Sequence, residues 1–347
     1  MLLTLLREQA EQGFDVELCT LENEEQPASL LGLEAEKLGI PHRSIKLANR
    51  FSFRSFLAEA RWGRGKRNKV LHGHGYRANV LLAVSKVILR DVATIATLHG
   101  WTSTKRLSSA RAYEVLEKMA CFVIDQPVVV SSAMKNMLPT LLRRKVRVIH
   151  NGIASDLPRV SMPSDIRAFI GERKSILYAG RLSFEKGIDT AIELMKKFAL
   201  VNSDYVLVVC GTGPFSKWVL DQIGTYDLQD RVRLFGYVEN IEAYLGEFDV
   251  LLLPSRTEGT PIIVLEAMVQ EVPIVANKVG GLPEMIESSS GLLVDGTIES
   301  IASAIDVSVL QSTRLTANAK LAVKEQFSSD EMAKKYAGLY GAVLCRK

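Results

Sequence analysis

Along most of the chain, short apolar runs rich in Val, Ile and Leu alternate with segments whose apolar residues recur every three or four positions. The first pattern is that of a strand buried on both faces and the second that of a covering helix, so their alternation predicts βαβ units with parallel sheets. In the first half, strands are expected near Phe14–Thr20, Ser44–Leu47, Lys69–His74, Ala93–Leu98, Pro127–Ser131 and Val146–His150. In the second they are expected near Ser175–Ala179, Tyr205–Cys210, Val232–Phe235, Val250–Pro254, Pro273–Ala276 and Gly291–Val294. Between the sets, residues 153–174 carry Pro158 and Pro163 with weak periodicity and read as a linker with a short helix. The expectation is an α/β protein of two Rossmann-like, doubly wound parallel-sheet domains facing a central cleft, over residues 1–152 and 175–327.

The two ends add to this. Leu2, Leu3, Leu5, Leu6 and Ala10 recur at helical spacing, and Gly13 stands where a left-handed residue closes a helix. The chain therefore opens inside a helix. A doubly wound domain ordinarily opens on a strand and a glycine-rich turn, so the first strand of the fold is expected to be missing. At the other end, Ser328 and Glu331 have capping-box spacing. Met332, Tyr336, Leu339, Tyr340 and Leu344 form an apolar stripe, which predicts a helix over 328–347 returning to the first domain.

The length of 347 residues suits two domains at roughly 150 residues each, and 47% hydrophobic with 24% charged residues excludes fibrous and disordered classes. No apolar run reaches the ~18 residues of a membrane span, because Lys86 interrupts the longest, Asn79 to Leu89. Cys19, Cys121, Cys210 and Cys345 are far apart, which suggests neither a disulfide framework nor a zinc knuckle and fits a reducing cytoplasm. The net charge of +4 conceals an asymmetry. Residues 1–152 hold 23 Lys+Arg against 14 Asp+Glu, and residues 153–347 hold 20 against 25. The basic half, with Trp62 set among the cations of Arg61–Lys69, is expected to meet an anionic membrane surface, while scattered solvated charge is the alternative. Nucleic acid is not an expected partner.

Gly73-x-Gly75-x-x-Ala78 formally matches a dinucleotide fingerprint, but no acid ends the next strand to hold a ribose. His72, His74 and His99 fall at strand C-termini. They could hold a metal, but no Asp, Glu or Cys shares either loop, so hydrogen bonding to substrate or packing is favoured. Ser255-Arg256-Thr257-Glu258-Gly259-Thr260-Pro261 leaves a strand and opens a helix through Glu266. Pro261 suits the first helical turn, leaving the Gly259 and Thr260 amides and the helix dipole to face an anion. Glu266 could accept hydrogen bonds from a diol. Taken singly, the two glutamates also read as a capping acid and a solvated acid. A second strand-to-helix cluster, Tyr178–Gly187, brings Arg181 and Lys186, two cations suited to phosphate oxygens.

Together these strings resemble a retaining glycosyltransferase of family 4 with GT-B architecture. The resemblance covers nearly the whole chain and rests on His99, Val148–Ile153, Gly180-Arg181-Leu182, Glu185-Lys186-Gly187, Gly211-Thr212-Gly213-Pro214, Phe235-Gly236-Tyr237-Val238, Glu258 to Glu266 and Gly280–Glu284. It implies transfer of a hexosyl or N-acetylhexosaminyl group from a nucleotide-sugar donor to a glycan or lipid-linked acceptor, without a metal or other cofactor. It implies catalytic roles for Arg181, Lys186, Glu258 and His99. Donor contacts would come from Gly180, Gly211, Gly213, Tyr237, Val238, Gly259, Thr260, Pro261 and Glu266, with His74 and Arg77 on the acceptor side. It also implies work on cell-surface polysaccharide or glycolipid at the cytoplasmic membrane face. Family members usually begin with a strand and a Gly-Gly turn that this chain lacks, which leaves open an inactive nucleotide-binding GT-B module or a fragment. A GT-B epimerase is a further alternative, against which the paired cations and glutamates count.

Overall fold

The computed structural model describes residues 1–23, 29–47, 69–88, 92–101 and 109–346. Residues 61–68 of the basic stretch around Trp62 lie outside them. The chain forms two compact units, Met1–Gly152 with Ser329–Lys347, and Ile153–Ser328.

In the first unit the elements run α1 (Leu2–Glu11), β1 (Leu18–Asn23), α2 (Leu30–Lys37), β2 (His42–Leu47), β3 (Val70–His74), α3 (Tyr76–Ile88), β4 (Ala93–Leu98), α4 (Ser109–Val123), β5 (Gln126–Val129), the short helices α5 (Ser132–Asn136) and α6 (Thr140–Arg143), and β6 (Arg147–Val148). β1 and β2 form a parallel pair, and β3-β4-β5-β6 a parallel sheet in that order. Strand alternation sorts the side chains. Ala96, Leu98 and Val129 meet Ala83, Ala120 and Ile124 on one face, while Ala93, Ile95 and Val128 meet Leu5 and the C-terminal helix on the other. Gly13 has φ +86, as a helix-closing glycine requires.

The second unit comprises α7 (Ser164–Ile170), β7 (Lys174–Ala179), α8 (Ile188–Leu200), β8 (Tyr205–Cys210), α9 (Ser216–Thr225), β9 (Val232–Gly236), β10 (Val250–Leu253), α10 (Ile262–Val269), β11 (Ile274–Asn277), α11 (Leu282–Met285), β12 (Leu292–Val294), α12 (Ile298–Leu310) and α13 (Ser312–Gln326). Its six parallel strands run β12-β11-β10-β7-β8-β9. Ile176 and Tyr178 point to one core and Leu177 to another, so both faces are covered and the strands read as unbroken apolar runs. The order changes direction beside β7, which pairs with β8 on one side and β10 on the other. At such a switch point the loops leaving the two central strands part and open a crevice at the sheet's C-terminal edge.

The structure corrects several expectations. Residues 153–174 are not a separate linker: Met162, Ile166, Phe169 and Ile170 are buried in the second unit's core. Ile153 bridges to Ser328, and Met162 N–H donates to Glu247 at 2.6 Å. That unit therefore spans 153–328 rather than 175–327, and the last helix, α14 (Ser329–Leu344), belongs to the first. The strand expected over 14–20 begins only at Leu18, and Phe14 is exposed instead. The strand expected over 146–150 is reduced to Arg147–Val148, with the Ile149 N–H adding one bond to the Val129 carbonyl. Pro261 precedes the helix as its cap residue, with ψ 128, rather than occupying its first turn.

Candidate functional site

The switch-point crevice of the second unit is lined by the loops after β7 and β10, which carry the two clusters singled out in the sequence. Backbone contact locks these loops to their neighbours. Gly180 N–H donates to Cys210 C=O and Gly211 N–H to Gly236 C=O, while a Cβ at Gly211 would stand 1.9 Å from the Gly180 oxygen. Gly280, at φ +55, presses equally closely on the carbonyl of Glu258. Only glycine tolerates such approaches, so loops distant in sequence meet with their backbones in contact.

On this frame Lys186 and Glu258 form a two-point ion pair, Nζ lying 2.7 and 2.8 Å from the carboxylate oxygens. Ser255 Oγ donates to the same carboxylate at 2.7 Å. The Glu258 side chain is 5% exposed and that of Lys186 29%. Lys186 therefore stands at the crevice as one half of an ion pair, its charge balanced by Glu258. Arg181 is exposed and, among the described residues, its side chain makes no hydrogen bond or ion pair. The Tyr178 hydroxyl reaches the carbonyls of Arg181 and Lys186, at 3.1 and 3.3 Å, and so ties the loop's two ends together.

Arg256 was passed over in the sequence. Its guanidinium forks onto Asp189 at 2.8 and 2.7 Å, donates to the Phe184 carbonyl and lies 3.9 Å over the Phe184 ring. It clamps the Arg181–Gly187 loop against the β10 loop. The signal that could have found it is its place inside the Ser255–Pro261 string.

Beyond Glu258, Thr260 is buried and Gly259 half-buried, and α10 starts at Ile262. The amides ahead of Val264 have no intrahelical acceptor, the ordinary state of a helix N-terminus and a ready donor set for an anion. Glu266 lies one turn further on, and burial with Glu242 nearby pushes its carboxyl up to about 7. Tyr237 is 77% exposed and Val238 half-buried after β9, where Gly236 turns at φ +72.

In the first unit, His74 ends β3 and His99 follows β4, the paired neighbouring strand. Their rings stack, with His74 Nδ1 and His99 Nε2 3.1 Å apart. His74 Nε2 is buried without a partner among the described residues. A proton there would be a donor with nothing to donate to, so the favoured arrangement places it on Nδ1, donating to His99. His99 then carries its own proton on Nδ1 and offers a hydrogen bond from that side. Burial pushes His99 down to about 4 and His74 well below the usual histidine range, so both are neutral at physiological pH. His72 is held between Tyr340 at 2.9 Å and Thr97 at 2.8 Å, a structural role joining α14 to the sheet. Arg77 stands in the first turn of α3.

Comparison with known proteins agrees with this construction. Residues 1–157 match the model of Glycosyltransferase Family 4, and residues 164–324 that of Glycosyl transferases group 1. The chain is 28% identical over 293 residues to an uncharacterized glycosyltransferase of Methanocaldococcus jannaschii, covering 78% of this chain and 74% of the relative. It is 24% identical over 290 residues to the O-antigen biosynthesis glycosyltransferase WclY of Escherichia coli, covering 79% of each. The structure of Anabaena HepE with UDP and glucose superposes with a TM-score of 0.80 at 20% identity, covering 98% of this chain and 95% of that one. With both halves matched and the fold shared, the chain belongs to the family 4, group 1 glycosyltransferases and has their GT-B fold.

Proposed function

We propose that the protein moves a hexosyl or N-acetylhexosaminyl group from a nucleoside-diphosphate sugar to a glycan or lipid-linked acceptor, with retention of anomeric configuration and without a metal ion, in building cell-surface polysaccharide or glycolipid. The observation that carries this reading is the meeting of Arg181, the Lys186–Glu258 pair and the open amides of α10 at the switch point. In this role Arg181 and Lys186 hold the diphosphate and offset the charge that gathers on it as the glycosidic bond breaks. The acceptor hydroxyl attacks the anomeric carbon on the face the nucleotide leaves, and its proton passes to the departing phosphate oxygen. Glu258 keeps Lys186 in place and contacts sugar hydroxyls together with Gly259, Thr260 and Pro261. Gly180, Gly211 and Gly213 let the diphosphate approach the backbone, Tyr237 and Val238 border the base, and His99 donates to a donor-sugar hydroxyl. His74 sets the His99 tautomer, and Arg77 serves the acceptor side. HepE, solved with UDP-glucose, makes a uridine donor the first to test. In this reading the enzyme works at an anionic cytoplasmic membrane face, which the excess of cations in its first half would suit. Release of the free sugar from uridine- and guanosine-diphosphate sugars, and transfer to a lipid-linked glycan, test the whole; no turnover with any donor would refute it.

Glu266 supplies a sharper check. As a carboxylate it can accept both hydroxyls of a ribose, and as an acid only poorly. With its carboxyl near 7, UDP affinity is expected to rise several-fold from pH 6 to pH 8 in calorimetric titrations, relative to Glu266→Gln as the reference for the ligand's own ionisation. Stability moves the opposite way. A carboxyl raised on folding favours the protonated native state, so ligand-free stability is lost as pH climbs from about 4.5 through about 7. Glu266→Gln should therefore melt several degrees higher than the parent at pH 8 and nearly equally at pH 4, where the carboxyl is protonated in both the folded and the unfolded chain. A Glu266→Gln variant that binds UDP as the parent does at pH 8 would remove Glu266 from the donor site.

A further inference from the structure

The Gly73-x-Gly75-x-x-Ala78 string, which formally matches a dinucleotide fingerprint, frames Asn79. Asn79 is fully buried on α3 and meets the ends of both β3 and β4. Its backbone N–H donates to the Gly75 carbonyl at 3.0 Å, and its side-chain amide donates to the Thr97 carbonyl at 3.2 Å. The amide oxygen, buried without a hydrogen-bond partner among the described residues, faces Gly73, where a Cβ would stand 2.6 Å from it. A side chain at 73 would displace the amide. Asn79 thus touches the strand end that carries His74 and the one that carries His99.

A carboxylate on α4 sets the direction of that amide. Glu117 is 4% exposed, and its Oε1 accepts from Asn79 Nδ2 at 2.8 Å. Turned over, the amide would press its oxygen against both the carboxylate and the Thr97 carbonyl. Glu117 Oε2 accepts from the Trp101 indole at 3.0 Å. Trp101 lies two residues beyond His99, across Gly100, whose φ of +146 favours glycine. The Lys118 ammonium, 4.2 Å from the centre of the indole ring, covers its face.

One buried carboxylate therefore holds both flanks of the segment 97–101, with His99 between them. Burial pushes the Glu117 carboxyl above its usual range, and the bonds from Asn79 and Trp101 pull it partly back. An apolar residue would fill the same space without that cost. What the carboxylate adds is the direction it imposes on two donors.

We propose that Glu117 is a positioning residue for the His74–His99 pair, fixing the Asn79 amide and the Trp101 indole and, through them, the direction in which the His99 ring offers its hydrogen bond. What His99 does for the donor sugar rests on the function proposed above, but its placement does not, so placement is measured without ligand. In NMR spectra of the full chain carrying isotope-labelled histidine, the ring signals lost in His99→Ala identify His99. Glu117→Gln keeps the volume but offers one oxygen to two donors, and should shift those signals while leaving the distant His42 as in the parent. Trp101→Phe keeps an aromatic ring and removes only the indole donor. It should also shift the His99 signals, and it decides alone should Glu117→Gln not fold. With UDP-glucose as donor, turnover in Glu117→Gln is expected to fall about tenfold or more at unchanged UDP affinity. It should fall no further when Glu117→Gln is added to His99→Ala, because the two act through one ring. His99 signals that stay in place in the variants, or a Glu117→Gln loss of equal size with and without the His99 side chain, would overturn the proposal. A parent that turns over no donor, while its variants move the His99 signals, would refute the transferase reading and leave Glu117 its positioning role.

Discussion

Replacing Arg181 by alanine is expected to lower sugar transfer about 10³-fold, with UDP affinity falling much less, because a fixed donor to developing charge is worth roughly that factor. The expectation rests on the site's charge balance. Lys186 is matched by Glu258 at 2.7 and 2.8 Å, so the pair together adds no net positive charge to the crevice. Arg181 is then the cation of the two clusters left to answer a departing diphosphate, along with the amides that open α10. Arg181→Lys keeps the charge and loses the fork, and should recover part of the rate. The side chain is exposed, so thermal unfolding should stay within about 1 kcal/mol of the parent for both variants. Transfer by Arg181→Ala at the parent's rate, measured with saturating donor, would show that the charge on the leaving group is met elsewhere.

Much of this site was legible in the sequence because its parts are local. A strand buried on both faces is an unbroken apolar run, so 93–98 and 205–210 were placed to the residue. Where pairing is one-sided or short the pattern thins, and the strand at 14–20 slid to Leu18 while that at 146–150 shrank to two residues. Residues 153–174 looked like a linker because Met162, Ile166, Phe169 and Ile170 are diluted by prolines and polar residues, although all four are core.

What could not be read were pairings between distant segments. Lys186 and Glu258 are 72 residues apart and meet only because glycine backbones let their loops touch. Each cluster alone suggested its chemistry, but not that one residue of each would neutralise the other.

The second large effect concerns the pair itself. Lys186→Met should destabilise the protein by about 3–5 kcal/mol, the cost of leaving a buried ion without its counter-charge. The Glu258 side chain is 5% exposed and would keep only the Ser255 hydroxyl among its present side-chain partners. At roughly 2–4 °C per kcal/mol for a unit of this size, the melting temperature should drop by about 10 °C. Adding Glu258→Gln to that variant removes the stranded charge and keeps an oxygen for Ser255, so most of the stability should return, since a buried pair replaced whole often costs little. Transfer should not return with it, because the diphosphate has lost Lys186 and the sugar a carboxylate. The two readouts separate a structural pair from a catalytic one. A double variant with both stability and transfer restored would make the pair scaffolding alone, whereas a single Lys186→Met variant melting like the parent would mean that Glu258 never depended on Lys186 for its charge.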